Sequence, residues 1–302
     1  MGSSMLTLVQ QVAAELGIAV PATVAGNTTQ DVVQLLALMN AVGYELKYKA
    51  GWEALTKTYM VNTSYLTTTG TWTTSSGVIT SIPTTAALDT TYMVVGSGWP
   101  TGALIQSVDS GTQVTANMTP TQAGTAATLY FQKVKYALPS DYESLVPRTQ
   151  WDKSKHWEMM GPESPQQWEW LLSGYISTGP RVRWRLLGGY FQIWPGFSNT
   201  EVLGFEYRSN AWAATAAGVA KSSFTVDTDT CIYPDRLMVI ATKLKYFEAK
   251  GFDTTAMYRD YMMLLDTVIA QDTSAPNLSF APQPGNVLIG WDNIPDSNYG
   301  LS

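Results

Sequence analysis

Charge is what this sequence lacks over one long stretch. Between Leu66 and Phe131 there is no lysine or arginine, and Asp89 and Asp109 are the only ionised side chains. Threonine, serine and glycine dominate there, and turn signals separate short apolar runs such as Tyr92-Met93-Val94-Val95. Because threonine and valine suit a pleated strand, the stretch predicts a small all-β, sandwich-like module inserted into a different protein.

Cysteine and histidine are also almost absent. The single cysteine, Cys231, excludes an internal disulfide and any multi-cysteine metal site. The single histidine, His156, is the only residue that could serve nucleophile–histidine–acid catalysis, and no G-x-S-x-G elbow accompanies it. We therefore expect no catalytic residue, no metal and no cofactor. The fold must rest on burial, backbone pairing or assembly with copies of itself.

Two further absences concern membranes and targeting. No apolar run reaches the length of a transmembrane helix. The N-terminus lacks the charged and apolar regions of a signal peptide. These features predict a soluble protein made inside the cell, with no membrane partner.

Acidity and aromatic side chains are what the sequence has. The net charge of −6 argues against a broad basic face that grips nucleic acid. The 11 Trp, 16 Tyr and 8 Phe among 302 residues are enough for a large core and for subunit interfaces. A chain of this length predicts two or three domains.

Helical periodicity occurs at both ends of the sequence. It predicts a helix from Met5 to Leu16 that stops at Gly17, and a second from about Asp31 that could continue to Trp52. Near the other end it predicts a helix over 234–250 closed by Gly251, then a final helix that starts at Thr254-Thr255. The expected fold class is α+β: a helical bundle built from both ends, a central β-rich region and the inserted module.

Strand patterns fill the middle. Residues 58–66 read as one strand that leads into the low-charge stretch, and 202–209 as another. Arg181-Val182-Arg183-Trp184-Arg185-Leu186 alternates strictly, so its arginines share one face. Gly188-Gly189 predicts a turn into the partner strand of a hairpin, and Pro165 predicts the first residue of a short helix. Residues 276–302, with four prolines, predict an extended arm.

Two sets of side chains are candidate sites. Arginines 181, 183 and 185 could meet an acidic neighbour or passing nucleic acid, or could form a solvated strand face. Tryptophans could stack on sugars, or could pack in a core or an interface. The interface or channel candidates are Arg181, Arg183, Arg185, Trp151, Trp157 and Trp168, and the candidates for the surface of the inserted module are Trp72 and Trp99.

Asp227-x-Asp229 is a fragment of a cation site without the remaining ligands of an EF-hand. We expect both aspartates to lie at a strand end and to help position the helix that starts at Pro234. A nucleotide site is not predicted, because neither a Walker motif nor a GxGxxG after a strand occurs.

A series of motifs resembles the head–tail adaptor (connector) proteins of short-tailed bacteriophages. The motifs lie in the family's order through residues 30–272: Leu35 to Leu46 with Trp52, Leu138-Pro-Ser-Asp-Tyr142, Thr149-Gln-Trp-Asp152, Gly161 to Trp168, Arg185-Leu-Leu-Gly-Gly189 with Ile193-Trp-Pro195, and Phe224 to Asp229 with Pro234 and Lys250-Gly251. Within the low-charge stretch, Gly77 to Pro83, Met93 to Pro100 and Ile105 to Thr115 resemble a β module that recurs in phage structural proteins.

The resemblance implies a structural virion protein and not an enzyme. It implies a homo-oligomeric ring of twelve copies at the head–tail junction (neck), with the portal above and tail or nozzle proteins below. The ring would extend the channel through which genomic double-stranded DNA passes without specific binding. The implied organisation is adaptor core in residues 1–65 and 132–272, inserted β module in 66–131 and C-terminal arm in 273–302.

Two other functions remain open at this point. The inserted module could bind host glycans or decorate the virion surface, as its Thr/Gly-rich β segment and the expected exposure of Trp72 and Trp99 suggest. A tail-associated hydrolase would require His156 or a pair of acidic residues distant in sequence.

Overall fold

A computed structural model describes residues 2–174 and 181–272. This part of the chain combines helices with several antiparallel sheets, as the sequence predicts. It contains a short 3-10 helix at Glu53–Leu55 and five α-helices: α1 (Met5–Leu16), α2 (Gln30–Lys49), α3 (Pro165–Leu172), α4 (Asp235–Lys250) and α5 (Thr255–Asp272). None of these helices is both long and apolar enough to cross a bilayer. The expected arm, residues 273–302, lies outside the described residues.

The strands are short and form four sheets. Their bounds are β1 (Thr56–Asn62), β2 (Tyr65–Trp72), β3 (Val78–Thr80), β4 (Tyr92–Gly96), β5 (Ile105–Ser110), β6 (Gln113–Ala116), β7 (Gly124–Lys133), β8 (Lys135–Ala137), β9 (Tyr142–Leu145), β10 (Trp151–Asp152), β11 (Trp157–Glu158), β12 (Arg183–Leu187), β13 (Tyr190–Trp194), β14 (Val202–Ser209), β15 (Ala213–Ala214), β16 (Ala220–Lys221) and β17 (Thr230–Cys231). The sheet orders are β1-β14-β10-β11 with β9 also paired to β14, β12-β13-β8, β16-β15-β17, and β4-β7-β2-β3-β6-β5.

Local signals explain the helix ends. The Ser4 hydroxyl accepts a hydrogen bond from the Thr7 N–H at 3.2 Å and caps α1, and Gly17 closes that helix at φ +70°. Gly251 closes α4 at φ +77°. The second predicted helix ends at Lys49 and does not reach Trp52. There the Trp52 indole N–H donates to the Leu46 carbonyl at 2.6 Å, which satisfies a carbonyl that a longer helix would have used.

The helices from the two ends of the sequence share one hydrophobic cluster. α1, α2, α4 and α5 all contribute buried side chains to it. At its centre Trp212 lies 4.9 Å from Phe224, measured between ring centroids, and is fully buried. A Cβ atom at Gly43, in the middle of α2, would lie 2.4 Å from the Trp212 ring. The glycine therefore stands in the helix because the indole packs directly on its backbone.

The predicted strand over 58–66 is wrong as a single element, because the chain changes sheets at Thr63 and Ser64. β1 pairs with β14 up to Asn62, and β2 then pairs with β7 from Tyr65. The Thr63 hydroxyl accepts from the Glu201 N–H at 2.7 Å and donates to the Asn199 carbonyl at 2.9 Å. These bonds hold the threonine in a corner where neither ladder continues.

The low-charge stretch forms a six-stranded sheet, β2 to β7, with a hydrophobic cluster of its own. Leu66 and Phe131, the expected boundaries, are direct register partners in the β2–β7 ladder. The two ends of this stretch therefore lie side by side. Its outer side is not wholly free, because Met93 of β4 is buried in a separate cluster with Trp168 and Leu171 of α3.

Trp72 and Trp99 do not lie on the surface, which corrects the expectation for this pair. They are 3% and 8% exposed, and their rings lie 6.1 Å apart in the cluster inside the sheet. The Trp72 indole N–H donates to the Gln122 carbonyl at 2.9 Å. Strand alternation turns position 72 inward, and burial of an indole removes a large apolar area from water.

Candidate functional site

Two adjoining clefts share Arg148 as a common wall, and we call them together the basic groove. The first encloses about 260 Å³ and is lined by Thr58, Arg148, Thr149, Trp151, Lys153, Phe205 and Glu206. The second encloses about 430 Å³ and is lined by Leu145, Pro147, Arg148, Gln150, Gly161, Pro162, Glu163, Trp184, Arg185 and Leu186. The groove thus brings two of the sequence candidates, Trp151 and Arg185, to one surface.

Arg148 has an unusual backbone conformation, with φ +62°. A residue with a Cβ atom is uncommon there, because the conformation costs about 1–3 kcal/mol and persists only where the surroundings enforce it. Hydrogen bonds on either side do so: the Thr149 hydroxyl donates to the Val146 carbonyl at 2.8 Å and accepts from the Glu206 N–H at 3.0 Å. The Gln150 amide also donates to the Val146 carbonyl, at 2.7 Å. The fold therefore holds the arginine at the wall between the clefts.

The alternation predicted over residues 181–186 is confirmed, but the three arginines do not act as one row. Val182 and Trp184 are buried, and the arginines lie on the other face. Arg183 pairs with the buried Glu163 at 2.5 Å. Arg185 is half-buried and lines the basic groove, whereas Arg181 is exposed before β12 begins.

The three candidate tryptophans also separate. Trp168 of α3 is 2% exposed and packs in the cluster that joins α3 to β4 and β13. Trp151 is half-buried in β10 at the edge of the basic groove. Trp157 of β11 is 40% exposed. Of these three candidates, Trp151 and Trp157 are therefore the two that a partner can contact.

The cations of the basic groove have no carboxylate partners. Among the described residues Arg148, Lys153 and Arg185 make no side-chain hydrogen bond and no ion pair, and Glu206 is the single unpaired carboxylate of the lining. Buried carboxylates elsewhere hold a cation, as Asp229 holds Lys221 at 2.5 Å. The groove is thus a positive site in an acidic chain, and it suits a negatively charged ligand.

A buried carboxyl pair lies beside the groove. Asp152 accepts from the N–H groups of Ser154 at 3.0 Å and Lys155 at 3.1 Å. Burial raises the pKa of Asp152, and the neighbouring Glu201 carboxylate raises it further. Burial alone would also raise the pKa of Glu201, but bonds from Lys155, Asn199 and Asp152 lower it below its usual value. Of the two carboxyls, Asp152 therefore holds its proton more tightly than Glu201 does.

Bonds from this pair connect neighbouring segments of the fold. The Lys155 ammonium bonds Glu201 Oε1 at 2.8 Å, and the Glu201 backbone N–H bonds Thr63 at the sheet change. His156 is exposed at φ +57° and has no hydrogen bond or ion pair within the described ranges. No acid orients it there, as a catalytic base would require.

Asp227 and Asp229 precede β17, as expected, but they position α1 and not α4. The backbone carbonyl of Asp229 accepts from the Met5 N–H at 2.7 Å, and that of Asp227 from the Leu6 N–H at 3.1 Å. The Asp227 carboxylate accepts from the N–H of Ala25 at 2.7 Å. The described residues hold no group of three metal-ligating side chains that could bind an ion.

No protein-family model matches the chain, and a search of curated proteins finds no match.

The sequence reading missed Arg148, Lys153 and Trp184 as members of one site. Arg148 follows Pro147 in a stretch without periodicity, and no local pattern indicates a positive φ at a residue that is not glycine. The alternation over 181–186 signals only Arg185, because it places Trp184 on the opposite, buried face of the same strand. The groove depends on the meeting of β1, β9, β10, β12 and β14, which no local sequence pattern encodes.

Proposed function

We propose that the chain is a structural virion protein, a head–tail adaptor that forms a ring of twelve copies under the portal of a short-tailed bacteriophage. The observation that carries the proposal is the ordered series of six motifs between residues 30 and 272. Each motif alone is weak, and their common order is what makes the resemblance specific. Under this proposal the protein acts by binding other chains and not by catalysis.

The finer architecture belongs to the same proposal. Residues 1–65 and 132–272 form the adaptor core, with the N- and C-terminal helices as its bundle. Residues 66–131 form a β module inserted into that core. Support comes from the shared hydrophobic cluster of α1, α2, α4 and α5 and from the pairing of Leu66 with Phe131.

The charge distribution supports passage of DNA. A channel coated with unpaired lysine and arginine would retain DNA, because each neutralised phosphate adds attraction through counterion release. The chain carries a net charge of −6, and many of its cations are paired within the described residues. In the proposal the ring extends the channel at the virion neck and offers the tail or nozzle proteins an attachment platform.

A ring requires heterologous interfaces that close. Exposed large apolar side chains supply contact area for them, including Tyr48 on α2 at 58% and Met263 on α5 at 65%. Trp157 at 40% is a further candidate for such an interface.

Mass measurement tests this proposal. Light scattering measures the mass of the purified protein, alone and mixed with purified portal rings of the same phage. We expect the mass of a twelve-copy assembly in the mixture, whether or not the protein alone already forms it. Electron microscopy should place it at the narrow end of the portal. A protein that stays monomeric and never joins portal rings would overturn the proposal.

The glycan-binding alternative has lost its motivating residues, since Trp72 and Trp99 are buried. We therefore do not carry it as a second proposal. Adsorption of particles that lack residues 66–131 would still detect such a role, because adsorption would then fail while assembly persists.

A further inference from the structure

The basic groove combines two properties that define what can bind there. Three cations without partners among the described residues, Arg148, Lys153 and Arg185, lie along it. Its walls are apolar, with the accessible side chains of Pro147 and Leu186 among them. A duplex DNA backbone would satisfy the cations but would leave the apolar walls bare. An extended peptide that carries both carboxylates and apolar side chains satisfies both properties.

The chain's own sequence contains a stretch with this chemistry. Residues 287–296, Val-Leu-Ile-Gly-Trp-Asp-Asn-Ile-Pro-Asp, hold five large apolar side chains and two aspartates. Residues 273–302 as a whole contain no lysine, arginine or histidine. This stretch lies outside the described residues, and its charge is complementary to that of the groove.

The described chain ends close to the groove. The Asp272 carboxylate, at the end of α5, accepts from the Glu53 backbone N–H at 2.8 Å. Thr58, which lines the groove, is five residues beyond Glu53, so at most about 18 Å of chain separates them. The 14 residues between Asp272 and Val287 can span about 45 Å. Reach within one copy is therefore easily sufficient, and a tethered segment has a high effective concentration.

We propose that residues 287–296 bind in the basic groove of the same copy, with Asp292 and Asp296 paired to its cations. The segment then covers Trp151 and the apolar wall formed by Pro147 and Leu186. It acts as an intramolecular strap across β10, β12 and β14. This inference does not depend on the adaptor proposal, since it uses only the groove and the sequence of the segment.

Disulfide trapping in the full chain tests the proposal. Pro147→Cys, in the groove wall, is combined with Asn293→Cys, and the native Cys231 is buried and does not interfere. We expect a disulfide within one copy, found by mass spectrometry of the linked peptides. The matched control is Ser144→Cys with Asn293→Cys, because Ser144 is exposed nearby but lines a different cleft. It should form the bond at least tenfold more slowly.

Charge substitutions test whether formation of the disulfide depends on the cations of the basic groove. Arg148→Asn, chosen because asparagine tolerates positive φ, and Arg185→Gln should each slow trapping at least tenfold. Arg208→Gln is the control, since Arg208 is exposed outside the groove and has no ion pair among the described residues. It should leave the rate unchanged. Equal trapping at Pro147 and Ser144, or disulfides only between copies, would overturn the proposal.

A second measurement needs no groove cysteine. The full chain with Asp292→Asn and Asp296→Asn should bind a labelled peptide of residues 285–298 at least tenfold more tightly than the unaltered chain, because its own segment no longer competes. Fluorescence anisotropy reports this binding. Equal affinity of the two chains would contradict the proposal. Displacement of the peptide by a short duplex DNA at lower concentration than by unlabelled peptide would identify a nucleic-acid site instead.

Discussion

Gly43 is required for packing, although glycine is a poor helix former. Glycine in the middle of α2 costs roughly 1 kcal/mol relative to alanine, yet a Cβ atom there would lie 2.4 Å from the fully buried Trp212 ring. We expect Gly43→Ala to destabilise the protein by about 2 kcal/mol, because overpacking outweighs the gain in propensity. Urea unfolding followed by far-UV circular dichroism measures the change.

The matched control for this substitution is Gly111→Ala. Gly111 lies between β5 and β6, and a Cβ atom at this position would have no neighbouring atom within 4 Å. Its substitution should leave the free energy of unfolding nearly unchanged. A stabilised Gly43→Ala protein would show that the indole can move away from α2.

The Asp141 carboxylate should make the free energy of unfolding depend on pH in the acid range. Burial opposes its charge, but bonds from Lys57 at 2.6 Å, Ser209 at 2.7 Å and Tyr207 at 2.8 Å lower its pKa to about 2. A folded pKa below the unfolded value near 3.9 stabilises the protein above pH 4, and this stability is lost as the pH falls towards 2. Asp141→Asn should therefore cost about 2 kcal/mol at pH 6 and progressively less below pH 4.

Chemical unfolding at a series of pH values measures that difference between the unaltered chain and Asp141→Asn. Asp266→Asn is the control, because Asp266 is exposed and has no partner among the described residues. A constant difference between pH 6 and pH 2.5 would mean that the carboxylate charge does not contribute.

At the scale of the elements, α3 connects the low-charge sheet to the rest of the fold, and its first turn depends on one residue. The Ser164 hydroxyl accepts from the Gln167 N–H at 3.2 Å, and the Gln167 side chain bonds back to the Ser164 N–H. We expect Ser164→Ala to destabilise the protein by about 1 kcal/mol. Ser173→Ala, at the other end of α3, is the control and should cost less. Equal losses in thermal unfolding would contradict a specific role of the cap.

Elements with strong local signals were predictable from the sequence. The bounds of α1, β14 and α4 follow from periodicity and from Gly17 and Gly251. The hairpin of β12 and β13 follows from alternation on either side of Gly188-Gly189. These signals lie within one element or at its ends, which is why a single sequence is sufficient to detect them.

What the sequence does not reveal depends on contacts between distant segments. The sheet change at Thr63 is held by Glu201 and Asn199, more than 130 residues away. The inward orientation of Trp72 depends on the register of β2, and the basic groove depends on the meeting of five strands. Arg183 and Arg185 look equivalent in the sequence, yet only Arg183 has Glu163 within reach. Charge partners of this kind become visible only in three dimensions.

At the scale of the whole molecule, the described residues bury four separate hydrophobic clusters, and the helical cluster contains no residue of the low-charge stretch. The contacts of the stretch with the remainder include Met93, Val95 and Leu104, which pack with Trp168 and Leu171. Two predictions follow from this arrangement. The remainder should fold without residues 66–131, and its contact surface for that stretch should then be exposed and apolar.

Deletion of residues 66–131 tests both predictions. Tyr65 and Gln132 are register partners, so a Gly-Gly link can join them. We expect the helical circular dichroism and a cooperative unfolding transition to persist, because α1, α2, α4 and α5 keep their shared cluster. We also expect new binding of a hydrophobic dye, because loss of Met93, Val95 and Leu104 uncovers Trp168 and Leu171. Trp168→Lys in the deleted chain should reduce this dye binding. Loss of the helical signal on deletion would show instead that the sheet is an integral part of one core, and the proposal of an inserted module would then fail.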